Sequence, residues 1–123
     1  MSPSVTLVAI VDDDESVRES LPGLLNELGF ATKTYSTAEE FLQSGVADQA
    51  KCLILDIAMP GMSGPELHRE LVRRGYSIPT ILMSAHPEFA SRADMREGPV
   101  GCLLKPFSEA ALLEALERAL NFK

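Results

Sequence analysis

Short apolar segments alternate along this chain with longer segments whose apolar residues recur at helical spacing. The short segments are residues 5–11, 31–35, 52–57, 80–83 and 101–104. Most of them lack polar alternation, which is typical of strands buried on both faces of a sheet, whereas the more polar segment 31–35 fits an edge strand. The pattern therefore predicts an α/β domain with a five-stranded parallel sheet and helices on its faces.

The segments between these strands predict five helices. In residues 15–28 the apolar side chains follow a single helical face, and Gly29 ends the helix. Further helices are predicted over residues 38–43, from Pro65 to Gly75, over residues 87–98, and from the N-cap Ser108 onward. Pro22 lies inside the first of these helices. An interior proline costs about 3 kcal/mol or bends the axis, so we expect a kink or a loosened turn there.

Polar side chains stand at the carboxyl ends of four predicted strands. They are Asp12, Asp13, Asp14, Asp56, Ser84 and Lys105. Such ends share one edge of a parallel sheet, where ligands bind at the point of reversal in strand order. Crowded carboxylates repel one another unless a cation offsets them, and Mg²⁺ prefers oxygen ligands. Because lysine can meet a phosphate as a point charge, the pattern suggests phosphoryl chemistry.

An ordinary structural role competes with that interpretation. Acids that follow strands are often solvated or serve as helix caps, and we expect Asp14 to be the N-cap of the first helix. The same explanation is poor for Asp12, Asp13, Asp56 and Lys105 together, because independent strand ends would have to carry suitable charges by chance.

Composition excludes several classes of protein. The chain has 123 residues, of which 46% are hydrophobic and 24% charged, as in one globular domain. A net charge of -7 disfavours direct binding of nucleic acid or anionic lipid. No segment approaches the ~18 apolar residues of a membrane span, and the start does not resemble a signal peptide. Cys52 and Cys102 show no metal or disulfide spacing, which fits a reducing cytoplasm.

Four motifs in this order carry a resemblance to a known family. They are Val11-Asp12-Asp13-Asp14 with Arg18, the loop from Leu55 to Gly64, Met83-Ser84-Ala85, and Leu104-Lys105-Pro106-Phe107. Over nearly its whole length the chain resembles the receiver domains of two-component response regulators. The sequences of these motifs are most similar to those of receivers that precede a helix-turn-helix transcription factor of the nitrogen-fixation regulator type. The resemblance implies a single receiver domain over residues 1–123, with a doubly wound, flavodoxin-like sheet of order 2-1-3-4-5 and five helices on both faces.

The resemblance also implies a role for each motif residue. Asp56 would accept a phosphoryl group from the phosphohistidine of a sensor histidine kinase or phosphotransfer protein. Asp13, Asp56 and the carbonyl of Ala58 would hold Mg²⁺, and Asp12 would act largely through water. Lys105 would offset charge on the phosphoryl group. Such a domain releases its own phosphate slowly and is not a conventional enzyme; a homodimer is left open.

Two further residues are implied in the switch and its geometry. Ser84 would hydrogen-bond the bound phosphoryl group and pull the following loop inward, which changes the surface formed by the last two strands and helices. The bond between Lys105 and Pro106 is usually cis in such receivers.

The chain departs from the family pattern at the output face. Cys102 stands where an aromatic residue normally rotates inward, and a thiol cannot fill that volume. We expect either a weakened switch or one that works through Ser84 and the helix predicted over residues 87–98 alone. A small buried hydrophobe is the ordinary interpretation of Cys102. The segment between Ser84 and Lys105 is also short and contains Pro87 and Pro99.

Other functions remain open on the sequence alone. A degenerate receiver could act as a binding or dimerisation module that does not depend on phosphorylation. A magnesium-dependent phosphatase of the aspartyl-phosphate type is disfavoured, because 123 residues leave no room for a substrate cap and no second acid follows Asp56 at the expected spacing.

Overall fold

Five parallel strands form one sheet in the computed structural model, which describes residues 6–85 and 101–120. The strands are β1 (Leu7–Val11), β2 (Ala31–Tyr35), β3 (Cys52–Asp56), β4 (Thr80–Ser84) and β5 (Gly101–Leu104). Their order is β2-β1-β3-β4-β5, and every neighbouring pair is parallel. The predicted sheet is therefore confirmed, and segment 31–35 lies at an edge as expected.

Helices cover both faces of this sheet. They are α1 (Glu15–Glu27), α2 (Ala38–Ser44), α3 (Gly64–Arg73) and α4 (Glu109–Leu120), with a short 3₁₀ turn at Val46–Asp48. The helix predicted over residues 87–98 lies outside the described residues, as do Pro87 and Pro99. Helix α1 runs through Pro22 without interruption. None of the helices in residues 6–85 and 101–120 has the length and apolarity to cross a bilayer.

Alternate residues of each strand point into two separate hydrophobic cores. Val8 and Ile10 of β1 pack with α1 and α4, whereas Ala9 and Val11 pack with α2 and α3. Because both faces are covered, the central strands are apolar at nearly every position. This packing leaves the ends of the strands, rather than their faces, as the place for polar chemistry.

Side-chain caps fix where the helices begin. Asp14 accepts from Ser16 N, Thr37 from Glu40 N and Ser108 from Ala111 N, which confirms the predicted caps. Helix α3 begins at Gly64, one residue before the predicted start, because Ser63 and Glu66 form a reciprocal capping box. The loop after β3 is therefore short and held at its far end.

Candidate functional site

The strand register brings the predicted polar residues to one edge of the sheet. Val11 is level with Leu55 across β1 and β3, so Asp12 and Asp56 are the next residues along neighbouring strands. Asp56 is level with Met83, and Ser84 follows it. Strand order reverses between β1 and β3, which is where open α/β sheets form a ligand crevice.

Asp12 is fully buried, and each of its four polar groups has a partner. Its N–H donates to Tyr35 O at 3.0 Å, and its carbonyl accepts from Arg18 Nη1 at 2.8 Å. Its carboxylate accepts from Asp14 N through Oδ1 and from Lys105 Nζ through Oδ2, both at 2.8 Å. A buried carboxylate held in this way has a fixed position and orientation.

Lys105 is the cation of the site. Its Nζ lies 2.8 Å from Asp12 Oδ2 and 3.5 Å from Asp56 Oδ1, so it bridges the two acids. Burial opposes its charge, but the hydrogen bond and charge of Asp12, followed by those of Asp56, raise the pKa of Lys105 overall. Its N–H donates to Ser84 O at 2.8 Å, and the bond to Pro106 is cis, the isomer that the resemblance implies.

Three carboxylates converge beside this lysine. One oxygen from each of Asp12, Asp13 and Asp56 lies within 4.8 Å of the others. Burial first, and then the charge of Asp12, raise the pKa of Asp56 to about 6, although Lys105 acts in the opposite direction. Three carboxylates share the one lysine ammonium that bridges Asp12 and Asp56. An all-oxygen donor set with excess negative charge, open through the exposed Asp13, fits a hard divalent cation such as Mg²⁺.

The loop after β3 packs against the main chain of Asp56. Ile57 N donates to Met83 O, and Gly64 N donates to Ile57 O. A Cβ atom at Gly64 would lie 2.4 Å from Asp56 O, closer than real Cβ atoms approach. Only glycine therefore allows the start of α3 to pack against the main chain of Asp56.

The remaining predicted residues differ in their burial and in their position relative to the three acids. Ser84 is buried at the end of β4, one residue beyond the level of Asp56. Ala58 is exposed in the loop after Asp56. Cys102 is half-buried in β5 opposite Leu82 and packs against the core on the α2 and α3 side, and burial raises the pKa of its thiol.

Two contributions to the site were not predicted from the sequence. In the sequence, Arg18 stands out only as a motif residue and Gly64 only as a residue of the loop after β3. Their partners here are the main-chain carbonyls of Asp12 and Asp56. Since every residue has a carbonyl, no pattern of side chains in the sequence marks these contacts. The one signal that could have pointed to the contact of Arg18 is its helical position, one turn after the acids.

Known proteins are similar to this chain over nearly its whole length. Residues 8–117 match the family model described as response regulator receiver domain. The transcriptional regulatory protein FixJ of Azorhizobium caulinodans is 38% identical over 97% of this chain and 57% of that protein. Response regulator protein TodT of Pseudomonas putida is 36% identical over 98% of this chain and 54% of its own length. The chain thus spans about half the length of these curated relatives.

Solved structures agree with the sequence relatives. The crystal structure of FixJ-N has a TM-score of 0.84 and 37% identity, and the match covers 98% of both chains. Response regulator protein TrrA of Thermotoga maritima, solved in complex with Mg²⁺-BeF, has a TM-score of 0.84 and 28% identity, with 94% of this chain and 100% of that chain covered. With the family match over residues 8–117, these likenesses show that the chain belongs to the response regulator receiver domain family of two-component signalling.

Proposed function

We propose that this receiver domain takes a phosphoryl group from a phosphohistidine of a sensor histidine kinase or phosphotransfer protein onto Asp56. The observation that carries the proposal is the position of Asp56, whose carboxylate faces Lys105 at 3.5 Å and shares a pocket with Asp12 and Asp13. This is the arrangement that a transferring phosphoryl group needs, with an oxygen nucleophile beside charges that can offset its own.

The transfer itself is a displacement at phosphorus. An oxygen of Asp56 forms a bond to phosphorus while the bond from phosphorus to the donor imidazole nitrogen breaks, and the electron pair stays on that nitrogen. No electrons are gained or lost overall. Lys105, already oriented by Asp12, lies where its ammonium can compensate charge on the phosphoryl oxygens.

Asp13 and Asp56 would hold Mg²⁺ with carboxylate oxygens, Asp12 would act through water, and Ala58 would contribute its carbonyl. When bound, the cation neutralises negative charge on the acids and on the phosphoryl group. The donor chemistry supports this assignment, because all three acids offer oxygen, and burial followed by the charge of Asp12 raises the pKa of Asp56. Its similarity to TrrA, solved with Mg²⁺-BeF, supports it further.

Ser84 and Lys105 link the pocket to the far edge of the sheet. The carbonyl of Ser84 accepts from Lys105 N, so a movement at either residue reaches β5 directly. In the proposed switch, Ser84 hydrogen-bonds the phosphoryl group and the change passes to the surface formed by β4, β5, α4 and the helix predicted over residues 87–98, which lies outside the described residues. Cys102, which is half-buried in β5, takes the place of the usual aromatic residue.

We further propose that the 123-residue chain is one receiver domain. Its partner in phosphotransfer is the kinase, and its output depends on sequence or proteins outside the chain, since the curated relatives are about twice as long. A signalling module of this kind turns over its own phosphate rather than a substrate.

Labelling with a small phosphodonor tests the proposal without knowledge of the kinase. The chain is incubated with Mg²⁺ and acetyl phosphate, and its intact mass is measured. We expect one added phosphoryl group in the unmodified chain, none in Asp56→Asn and none in the presence of EDTA. Asp48→Asn is the matched control, because it removes an exposed acid that bonds Tyr76 outside the pocket. Labelling of Asp56→Asn, or none in the unmodified chain, contradicts the proposal.

A further inference from the structure

Arg18 lies behind the acidic pocket and reaches it through the main chain. Its Nη1 donates to Asp12 O at 2.8 Å, and the contact is partly buried. Within the part of the chain that the structure describes, no carboxylate lies within ion-pair distance of Arg18, unlike Arg73 and Arg74, which both pair with Glu70. The guanidinium of Arg18 is thus committed to a backbone carbonyl of the site.

The side chain of Arg18 links helix α1 to the end of β1. Arg18 N donates to Asp14 O at 3.2 Å, as part of the first turn of α1. Its side chain then turns back to Asp12, so the segment between Asp12 and Arg18 is closed at both ends. Asp13 stands inside this closed segment, and its side chain is exposed.

From this geometry we infer that Arg18 is a positioning residue for the phosphoacceptor pocket: it holds the turn at Asp12 and Asp13 in the orientation that cation binding and phosphotransfer need. The inference rests on the proposed function. Arg18 does not touch the reacting atoms; it acts through the carbonyl of Asp12. Hydrogen-bond partners behind ligating groups commonly change affinity or activity by about 10-fold or more when they are removed.

The lost charge of Arg18 and its lost hydrogen bond predict opposite changes in the affinity for Mg²⁺. Loss of a positive charge beside an acidic pocket makes the pocket more negative, which strengthens the attraction of Mg²⁺. Loss of the hydrogen bond lets the turn relax, which weakens Mg²⁺ binding. The direction of the change in affinity therefore separates the two effects.

Three substitutions at Arg18 isolate the contact. Arg18→Met keeps the apolar stem but removes the donors and the charge. In Arg18→Gln the side chain is two bonds shorter than arginine and does not reach the carbonyl. This variant is used if Arg18→Met does not fold. Arg18→Lys keeps the charge and one donor near the same reach. Arg74→Met is the matched control, because it loses the same charge from an exposed pair on α3.

The primary measurement is the Mg²⁺ dissociation constant of the full chain, from amide chemical shifts. We expect Arg18→Met and Arg18→Gln to raise it about 10-fold, Arg18→Lys about threefold or less, and Arg74→Met less than twofold. Unchanged or tighter Mg²⁺ binding in Arg18→Met or Arg18→Gln overturns the inference. So does an equal weakening in Arg74→Met.

A second measurement needs no metal. The Asp14 amide donates to Asp12 Oδ1, and the Glu66 amide donates to Ser63 Oγ in a similar cap. In EDTA, Arg18→Met should speed hydrogen exchange at Asp14 several-fold and leave Glu66 unchanged; equal protection at Asp14 in both proteins contradicts the inference. Failure of the unmodified chain to bind Mg²⁺ or to be labelled would instead count against the proposed function, which separates the two.

Discussion

Lys105 donates from Nζ to Asp12 Oδ2 at 2.8 Å, although the two residues lie 93 positions apart in sequence. Their strands are not neighbours either, because β3 and β4 lie between β1 and β5. The lysine side chain therefore spans the carboxyl ends of the central strands and passes Asp56 on the way. This one contact ties the first and last strands of the pocket together and leaves Asp56 beside a fixed cation.

Removal of Lys105 should leave Asp12 as a buried charge without its ion-pair partner. Because Asp12 is fully buried, we expect Lys105→Met to lower the free energy of unfolding in EDTA by about 2–3 kcal/mol. This is a little less than the ~3–5 kcal/mol of a broken, fully buried pair, because Lys105 is partly exposed. Urea denaturation measures the change. Adding Asp12→Asn should restore at least half of the loss, since no unpaired charge then remains.

Lys51→Met is the control for that experiment, because Lys51 is exposed. It should change stability by less than about 0.5 kcal/mol. Equal effects of the two lysine substitutions would mean that the pairing of Lys105 with Asp12 contributes no stability.

Asp56 should make the metal-free domain less stable as pH rises. Burial and the charge of Asp12 raise its pKa from 3.8 to about 6 in the folded chain. Between these values the folded state binds more protons than the unfolded state, so the free energy of unfolding falls with rising pH; above about 6 the effect of this group is constant. Asp56→Asn removes this titration. Between pH 4 and pH 7 the free energy of unfolding of the variant should therefore rise by about 1–2 kcal/mol relative to the unmodified chain, allowing for screening by water.

Denaturation in EDTA across this pH range tests the prediction. Gly23→Ala, which changes no titratable group, should show a constant difference from the unmodified chain over the same range. A gap between Asp56→Asn and the unmodified chain that shrinks as pH rises has the wrong sign and would refute the predicted protonation of Asp56.

Gly64 should tolerate no side chain, because its Cβ position lies 2.4 Å from Asp56 O. We expect Gly64→Ala to destabilise the domain by about 2 kcal/mol or more and to slow labelling of Asp56, since the main chain must move. Gly23→Ala is the matched control: nothing lies within 4 Å of its Cβ position in α1. That change should stabilise by about 0.5–1 kcal/mol and leave labelling intact. Equal stability and equal labelling in both variants would show that the close approach at Gly64 has no consequence.

The sequence predicted the sheet well because its physical signal is local. Segments buried on both faces mark β3 and β4 to within a residue, and Gly29 and the caps mark the helices. The 3₁₀ turn at Val46–Asp48 was not predicted, since three residues are too few to show a period. Pro65 predicts the start of helix α3 one residue late, because the Ser63 cap makes the helix begin at Gly64.

The pocket was predictable to the extent that it is made of charged side chains at strand ends. Parallel strands share an edge, so Asp12, Asp56 and Lys105 were expected at the same edge of the sheet. The roles of Arg18 and Gly64 could not be predicted in the same way, because a guanidinium on a carbonyl and a missing Cβ beside a carbonyl depend on three-dimensional packing. The phosphoryl chemistry of the pocket remains a proposal.

Chemical mapping of the labelled residue tests the central claim most directly. After incubation with Mg²⁺ and acetyl phosphate, borohydride reduces an aspartyl phosphate to homoserine, and peptide sequencing by mass spectrometry locates the product. We predict homoserine at position 56 alone. Homoserine at position 12 or 13, or an unreduced chain under conditions that reduce an established aspartyl phosphate, would contradict the account.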